Sequence, residues 1–243
     1  MVVPGPSQSE FGLLGPNFFD IAQNQFDPKK IESLVYSLEL EFIHLKRRLN
    51  MNPPKILLDF GSGTGRITIF LLKQGFDVYA IDISKRSLRV LKYFYDHHKT
   101  KSWGNLTTST TIPKNILFDG IVGADILHHV NISEQLTKLY NALKPDGIIV
   151  FSEPNAWHFP WHIFISCKLS WKIERGIFQC SIPNLKTKFK SAGFKNISFM
   201  GHGLIPTMLL DFFPFLSRIN ALLLGNLPLI KFFSFRLIIF AEK

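Results

Sequence analysis

Lys55-Ile-Leu-Leu-Asp-Phe-Gly-Ser-Gly-Thr-Gly-Arg66 is the stretch whose reading decides the fold. An apolar run from Ile56 to Phe60 breaks into a loop with glycine at 61, 63 and 65, and apolar spacing resumes at Ile67, Ile69, Phe70, Leu71 and Leu72. This pattern predicts a buried strand, a tight turn and the start of a helix. Glycines in such a turn leave the backbone open to close approach and accept positive φ at little cost. The helix behind them presents unpaired N–H groups and a positive dipole end to whatever lies over the loop.

A second apolar run, Val78-Tyr-Ala-Ile81, ends in Asp82. A carboxylate at the tip of the neighbouring strand is where a doubly wound sheet grips a ribose diol, so loop and acid together point to a nucleoside-containing cofactor. The dinucleotide fingerprint G-x-G-x-x-G would need a third glycine where Arg66 stands, which disfavours a nicotinamide-dependent oxidoreductase. The spacing is instead D-x-G-x-G-x-G, running Asp59, Gly61, Gly63, Gly65. It resembles motif I of the class I S-adenosylmethionine (SAM) methyltransferases. That resemblance implies an α/β fold, a Rossmann-like, doubly wound seven-stranded sheet whose last strand is antiparallel and inserted between its two predecessors, with helices on both faces. It also implies SAM as cofactor. Asp59, Gly61, Gly63 and Gly65 would hold the methionine moiety, Asp82 the ribose hydroxyls and Ile83 the adenine face, while Ala124 and Asp125 would line the pocket near the methyl group.

With 243 residues the chain suits one α/β domain with elaborations. Met1 to Glu10 has neither a basic start nor an apolar core, so no signal peptide is expected. Cys167 and Cys180 are too few for a disulfide framework and match no zinc spacing, so a reduced cytoplasmic setting is the expectation. The net charge of +10 is uneven: from Ala156 onward eleven Lys and Arg face three acids, against 17 and 15 before it. Such an excess favours anionic partners.

Residues 1–52 read as an N-terminal arm and cap helix, and 53–243 as the methyltransferase-like domain. Asn17 to Phe26 suggests a short helix; Asp27 then caps a long amphipathic one with Pro28 at its first position, its apolar face Ile31, Leu34, Val35, Leu38, Phe42, Leu45 and Leu49. Ser84 is expected to cap a helix to about His97, with Leu88, Leu91 and Tyr95 on one face. A third strand is placed at Leu106 to Ile112. Many methyltransferases carry a Gly-Asp pair after this strand, the acid reaching the adenine amino group; here Thr107-Thr-Ser-Thr-Thr111 stands instead, leaving a hydroxyl or backbone carbonyl for that role. Phe118-Asp-Gly-Ile-Val-Gly-Ala-Asp-Ile-Leu-His-His-Val130 reads as a fourth strand, Gly120 to Ala124, and a loop, after which Ser133 starts a helix. It resembles the D-x-L-H-H motif common among small-molecule methyltransferases. Lys144-Pro-Asp-Gly147 is a turn signal with positive φ expected at Gly147. Strands are expected at Ile148 to Ser152, Phe194 to Met200 and Phe235 to Ala241, with a helix from Asn184 to Ala192 capped by Gly193.

Two apolar, aromatic insertions interrupt this frame, at about 156–183 and 203–234. Pro206, Asp211, Pro214, Arg218 and Pro228 break the second, which excludes a spanning helix of some twenty apolar residues. They read as a lid over the substrate pocket or as a surface, through 203–234, for peripheral membrane contact.

In a methyltransferase the acceptor must be held in line and water kept out; an oxygen or carbon acid nucleophile also gains from a general base, commonly histidine. His129 is the first candidate as base or substrate-orienting group, and His128 the second, both just past the fourth strand. Glu153, His158 and His162 are weaker candidates. Phe18, Phe19, Trp157, His158 and Trp161 are the candidate acceptor contacts. No His, Cys and Asp grouping has metal-ligand spacing, so no metal is expected. The Asn/Asp-Pro-Pro-Tyr/Phe motif of amino-methylating nucleic-acid enzymes is absent, and neither cysteine lies near the fourth strand as a cytosine C5 enzyme requires, so nucleic acid is disfavoured as substrate. The chain is thus similar to the UbiE/UbiG-like group acting on quinone precursors, lipids and secondary metabolites. An apolar or lipid-linked small-molecule acceptor is expected, with O- or C-methylation favoured. The competing reading is a non-catalytic, membrane-associated adaptor with a SAM-binding fold.

Overall fold

The computed structural model describes residues 27–29, 36–205, 215, 216, 220 and 230–243, without the side chains of 36–40, 168 and 230. Phe18, Phe19, Phe26, the helix positions Ile31, Leu34 and Val35, and most of the second insertion lie outside the described residues.

Helix α1 (Tyr36–Leu49) precedes β1 (Ile56–Phe60), the glycine loop and α2 (Arg66–Lys73). Then come β2 (Asp77–Ile81), α3 (Lys85–His98), β3 (Leu106–Ser109) and β4 (Phe118–Ala124). A 3₁₀ turn (Leu127–His129) leads into α4 (Ile132–Ala142) and β5 (Leu143–Pro154). The first insertion carries α5 (Phe159–Lys168), α6 (Trp171–Glu174) and a 3₁₀ segment (Arg175–Gln179). Helix α7 (Ile182–Ser191), β6 (Lys195–His202), a second 3₁₀ turn (Ile230–Phe233) and β7 (Arg236–Glu242) complete the chain.

The seven strands lie in the order β3-β2-β1-β4-β5-β7-β6. Strands β1 to β5 pair in parallel, and β7 runs antiparallel to both β5 and β6. The expected topology, with the last strand inserted between its two predecessors, is therefore the observed one. Alternation along the strands explains the two covered faces. Leu57, Val78, Val122, Val150 and Ile238 join Phe42, Leu45, Leu49, Leu71 and Leu72 of α1 and α2 in one apolar cluster. Leu58, Ile121 and Ile149 join Leu136 and Leu139 of α4 and Leu185 and Phe189 of α7 in another. Each fully buried Leu, Ile or Phe contributes roughly 1.5–3 kcal/mol over its exposed state, so both faces are needed to hold the sheet.

The differences from the sequence reading are local. Strand β4 begins at Phe118, and α4 is capped by Asn131, whose side chain accepts from the Glu134 N–H at 3.3 Å, instead of starting at Ser133. Positive φ falls on Asp146 (60°) and not on Gly147. Glycine at 147 serves close approach instead: a Cβ there would stand 2.9 Å from the Lys144 carbonyl oxygen. Strand β3 stops at Ser109, because the Ser109 hydroxyl turns back to donate to the Thr111 carbonyl at 2.8 Å. Ser84 caps α3 as expected, accepting from the Ser87 N–H at 3.0 Å, and Leu88, Leu91 and Tyr95 are buried.

Candidate active site

The loop after β1 opens at the carboxyl edge of the sheet. The N–H groups of Gly61 and Ser62 donate to the Ile81 carbonyl at 2.8 and 3.0 Å, tying the loop to the tip of β2. Gly61, Gly63 and Gly65 all have positive φ, but for different reasons. A Cβ on Gly61 would press on Ile126, and one on Gly65 on Leu91, whereas one on Gly63 meets nothing within 4 Å. The chain thus keeps Gly61 and Gly65 for packing and leaves open space over Gly63. Asp82 is fixed beside it: its two oxygens accept from the N–H groups of Gly63 and Ser84, each at 2.8 Å. Ser62 Oγ is buried without a hydrogen-bond partner.

Asp59 lies beneath this loop, buried, accepting from Thr68 Oγ1 at 2.5 Å. Burial raises its carboxyl to about 7, against the opposing effect of the Thr68 hydrogen bond.

A cavity of about 670 Å³ spreads along the edge of β1, β2 and β3. Gly61, Asp82, Ile83, Thr110, Thr111, Ile126 and His129 are among its walls, and its far side is formed by residues of α4. It therefore unites three of the sequence candidates for cofactor binding, Gly61, Asp82 and Ile83, with the candidate base His129. The threonines that replace the expected acid after β3 stand in the same wall.

Across the cleft the turn 125–129 is held from many directions. Asp125, at φ 55°, is ion-paired to Arg66 (2.6 Å) and Arg236 (2.9 Å). Burial opposes its charge, but the two guanidinium groups hold its carboxyl well below the usual range. Arg236 also faces Glu41 of α1 at 3.1 Å and donates to Ser152 Oγ and the Ser152 carbonyl, each at 2.9 Å. One carboxylate oxygen of Glu153 accepts from the Ile126 and Leu127 N–H groups at 2.9 and 3.0 Å, and the other meets His128 Nδ1 at 2.8 Å. His128 Nε2 lies 3.5 Å from Glu174 of the first insertion.

Burial alone would lower the His128 pKa, but Glu153 and Glu174 outweigh it and hold the ring at about 10. His129, its ring centroid 3.9 Å from that of His128, is pushed down to about 3 by burial and by the charged neighbour. The surroundings thus push the pKa values of the two histidines of one motif in opposite directions. His128, held between Glu153 and Glu174, favours its protonated form and acts as a structural partner of the turn. His129 is neutral, faces the cavity and makes a hydrogen bond to the backbone of Ile173.

The remaining candidates are placed elsewhere. His158 caps α5, Nδ1 accepting from the Trp161 N–H at 3.2 Å while Nε2 donates to the Leu204 carbonyl at 2.6 Å. Trp161 is buried in a small cluster with Ile165, Ile177 and Phe235. His162 bonds the Ala156 carbonyl at 2.8 Å, and Trp157 is exposed. None of these, and neither Ala124 nor Asp125, forms part of the cavity wall. Sequence reasoning missed Arg236, Glu41 and Glu174. Only their charge in otherwise apolar surroundings marks them, and each stands far along the chain from the motif it serves.

The profile of the family described as "Methyltransferase domain" matches residues 36–198. The chain belongs to that family. Its fold is the class I, Rossmann-like one, and S-adenosylmethionine is the cofactor that its motif I resemblance implies. Among curated relatives, a ubiquinone biosynthesis O-methyltransferase of Rickettsia typhi is 30% identical over 121 residues, 49% of each chain. The chain thus spans about half the length of the curated relatives it matches first. Among solved structures, phosphoethanolamine N-methyltransferase 2 of Haemonchus contortus, in complex with SAM, superposes with a TM-score of 0.63 at 16% identity, covering 94% of this chain and 59% of that one. A SAM-dependent methyltransferase of Thermotoga maritima gives 0.57 at 15%, covering 88% and 95%. At these identities the structural likenesses speak for the fold alone.

The residues present fit the cofactor. The unfilled space over Gly63 and the carboxylate of Asp82 pinned in the cavity wall together form a polar cradle. Ile83 and Ile126 supply flat apolar walls beside it.

Proposed function

We propose that this methyltransferase O-methylates a hydroxylated, apolar small molecule of the quinone-precursor type. The observation that carries the reading is the neutral His129 in the wall of a mainly apolar cavity continuous with Asp82. The name of the Rickettsia relatives supports hydroxyl oxygen as the nucleophile.

SAM, when bound, supplies a methyl group on a sulfonium, already a strong electrophile, so the protein's share is positioning and exclusion of water. Asp82 takes the ribose hydroxyls from a carboxylate already oriented by two backbone N–H groups. Thr110 and Thr111 offer hydroxyls and carbonyls to the adenine edge in place of the acid that many relatives use. Neutral His129 hydrogen-bonds the acceptor hydroxyl and orients it. With its pKa near 3 it is a weak base, so orientation outweighs proton abstraction. The charged His128 fixes the turn that carries it.

Helix α1 covers one face of the sheet through Phe42, Leu45 and Leu49. The first insertion covers the acceptor side and offers apolar surface to a lipidic acceptor or a membrane. Trp157, Phe159, Ile163 and Phe178 are exposed large apolar groups there, as is Phe233 ahead of β7, and no helix among the described residues is long and apolar enough to cross a membrane.

Calorimetric titration with SAM and S-adenosylhomocysteine, NAD serving as control, tests the cofactor half of this reading. Methyl transfer from radiolabelled SAM to a panel of phenolic, amine and carbon-acid lipids tests the acceptor half. Product on amines but not on phenols refutes O-methylation.

A further inference from the structure

His129 lines the cavity, but its ring is held by a distant part of the chain. The bond to the Ile173 backbone favours the protonated ring, so the imidazole N–H donates and the Ile173 carbonyl accepts. That carbonyl belongs to the last turn of α6, where C=O groups find their partners outside the helix. A neutral imidazole has one N–H and one bare nitrogen, and the bond made by the first decides which atom is the second. With its N–H given to the first insertion, His129 has only an acceptor nitrogen left to offer a ligand in the cavity.

Two contacts fix where the Ile173 carbonyl stands. Glu174, the next residue, lies 3.5 Å from His128 Nε2, and His128 Nδ1 is held in turn by Glu153 at 2.8 Å. Gly176 lies so close to the turn that a Cβ there would overlap the His128 carbonyl oxygen. Both contacts grip His128, and neither Glu174 nor Gly176 is part of the cavity wall. The His128 and His129 rings are 3.9 Å apart between centroids, so whatever seats the insertion on the first ring also sets its distance from the second.

We propose that Glu174 is a positioning residue for His129. By seating the first insertion on His128 it holds the Ile173 carbonyl against the His129 N–H, and so sets the tautomer that meets the methyl acceptor. Such a site selects an acceptor that brings its own proton, a neutral hydroxyl and not its anion, because a bare ring nitrogen accepts from an O–H and repels an oxyanion. The selection rests on the O-methylation reading, whereas the tautomer lock does not.

The test is ¹⁵N NMR of the histidine-labelled full chain at pH 7, where the two ring-nitrogen shifts report the tautomer. Loss of signals in His129→Gln identifies those of His129. The wild type should hold His129 in one neutral tautomer, favoured by about tenfold, the ratio that one net hydrogen bond supplies. Glu174→Ala should carry that ratio toward the value of free histidine. Glu174→Gln, which keeps the length and an acceptor oxygen without the charge, should carry it part of the way. Gly176→Ala, whose methyl group pushes the insertion off the turn, should match Glu174→Ala. His158→Ala weakens the same insertion at the α5 cap and should leave the ratio unchanged, which separates placement from a general loss of stability. Circular dichroism confirms that each variant is folded, and the partial exposure of Glu174 keeps its variants informative if Gly176→Ala does not fold. Mixed tautomers or a charged His129 in the wild type overturn the proposal. So does a ratio unmoved by Glu174→Ala, or moved equally by His158→Ala. Because no turnover is read, a wrong acceptor assignment leaves these outcomes intact. For a phenolic acceptor that is turned over, kcat/KM should fall as pH rises through the pKa of that phenol, and a rise there overturns the selection of the neutral hydroxyl.

Discussion

Residues 59–84, one wall of the cleft, carry nearly all their own fastenings. Thr68 holds Asp59, Ile81 holds the loop, and Gly63 and Ser84 hold Asp82, all within 26 positions of chain. The turn 125–129 opposite is fastened by Glu41, Arg66, Glu153, Glu174 and Arg236, from four other elements and an insertion. The first wall is a local motif whose fastenings lie within one stretch of chain. The second exists only once the whole sheet has closed, so α1, β7 and the insertion all bear on the acceptor side. Changes at Gly63 and Asp82 in the first wall should therefore cost ligand binding with little loss of stability, and changes in the second should cost the fold.

The largest effect is expected at Arg236. Replacing it by Met leaves Glu41 and Asp125 without their shared guanidinium, in a place where Arg236 is 4% exposed and Glu41 fully buried. Breaking such a pair from one side costs about 3–5 kcal/mol. Urea denaturation should show that loss, and Arg236→Met together with Glu41→Met should recover part of it. A single variant as stable as wild type would place the fastening of the turn elsewhere.

Asp59 tests the local wall through pH. Its folded pKa is raised from an ordinary carboxylate value to about 7. The stabilisation from the protonated form is therefore complete below about pH 4 and lost as pH rises through 7. A shift of this size corresponds to at most roughly 4 kcal/mol between those limits. Asp59→Asn keeps an acceptor for Thr68 and carries no charge, so it should gain stability relative to wild type between pH 5 and 8. Thermal melts across that range read the gain. Parallel curves for the two proteins would show that Asp59 is not protonated in the fold.

Gly63 and Asp82 come next, and they separate binding from stability. Asp82→Ala removes the ribose partner and should weaken SAM on the order of 100-fold, about 2.7 kcal/mol. Gly63→Ala puts a methyl group into the open space at φ 53° and should cost about 1 kcal/mol of stability while also weakening SAM. The same change at Gly65 drives a methyl group into Leu91 and should be clearly the more destabilising. Calorimetry and melts on the three variants rank them. If Gly63→Ala destabilises as much as Gly65→Ala, the space over Gly63 is not reserved for ligand.

This contrast also explains what the sequence revealed. The β1 loop and Asp82 were legible because strand period, glycine and acid sit within one short window, where spacing maps directly onto geometry. The topology followed from the resemblance, and the alternation of buried residues agrees with it. Arg66 was read only as a missing glycine, although its guanidinium is what holds Asp125. His128 and His129 were found as a pair, but the opposite directions of their pKa shifts depend on Glu153 and Glu174, 25 and 46 residues later. No local pattern announces such partners.

His158 is where the two walls are most easily confused, because aromatic, histidine-rich sequence after β5 reads as acceptor contact but folds as packing. Its ring caps α5 and bonds the Leu204 carbonyl, and burial lowers its pKa. A histidine held neutral in the fold contributes stability above its unfolded pKa of about 6.5 that is lost as pH falls. His158→Ala should cost about 1 kcal/mol at pH 8, the usual worth of a cap, and less at pH 5. Asn, which also caps, should restore part of it. The KM for any acceptor should stay unchanged in both variants. A KM that rises several-fold in His158→Asn with stability retained would move this ring from packing to the acceptor pocket, and would make the insertion part of the chemical wall as well as its support.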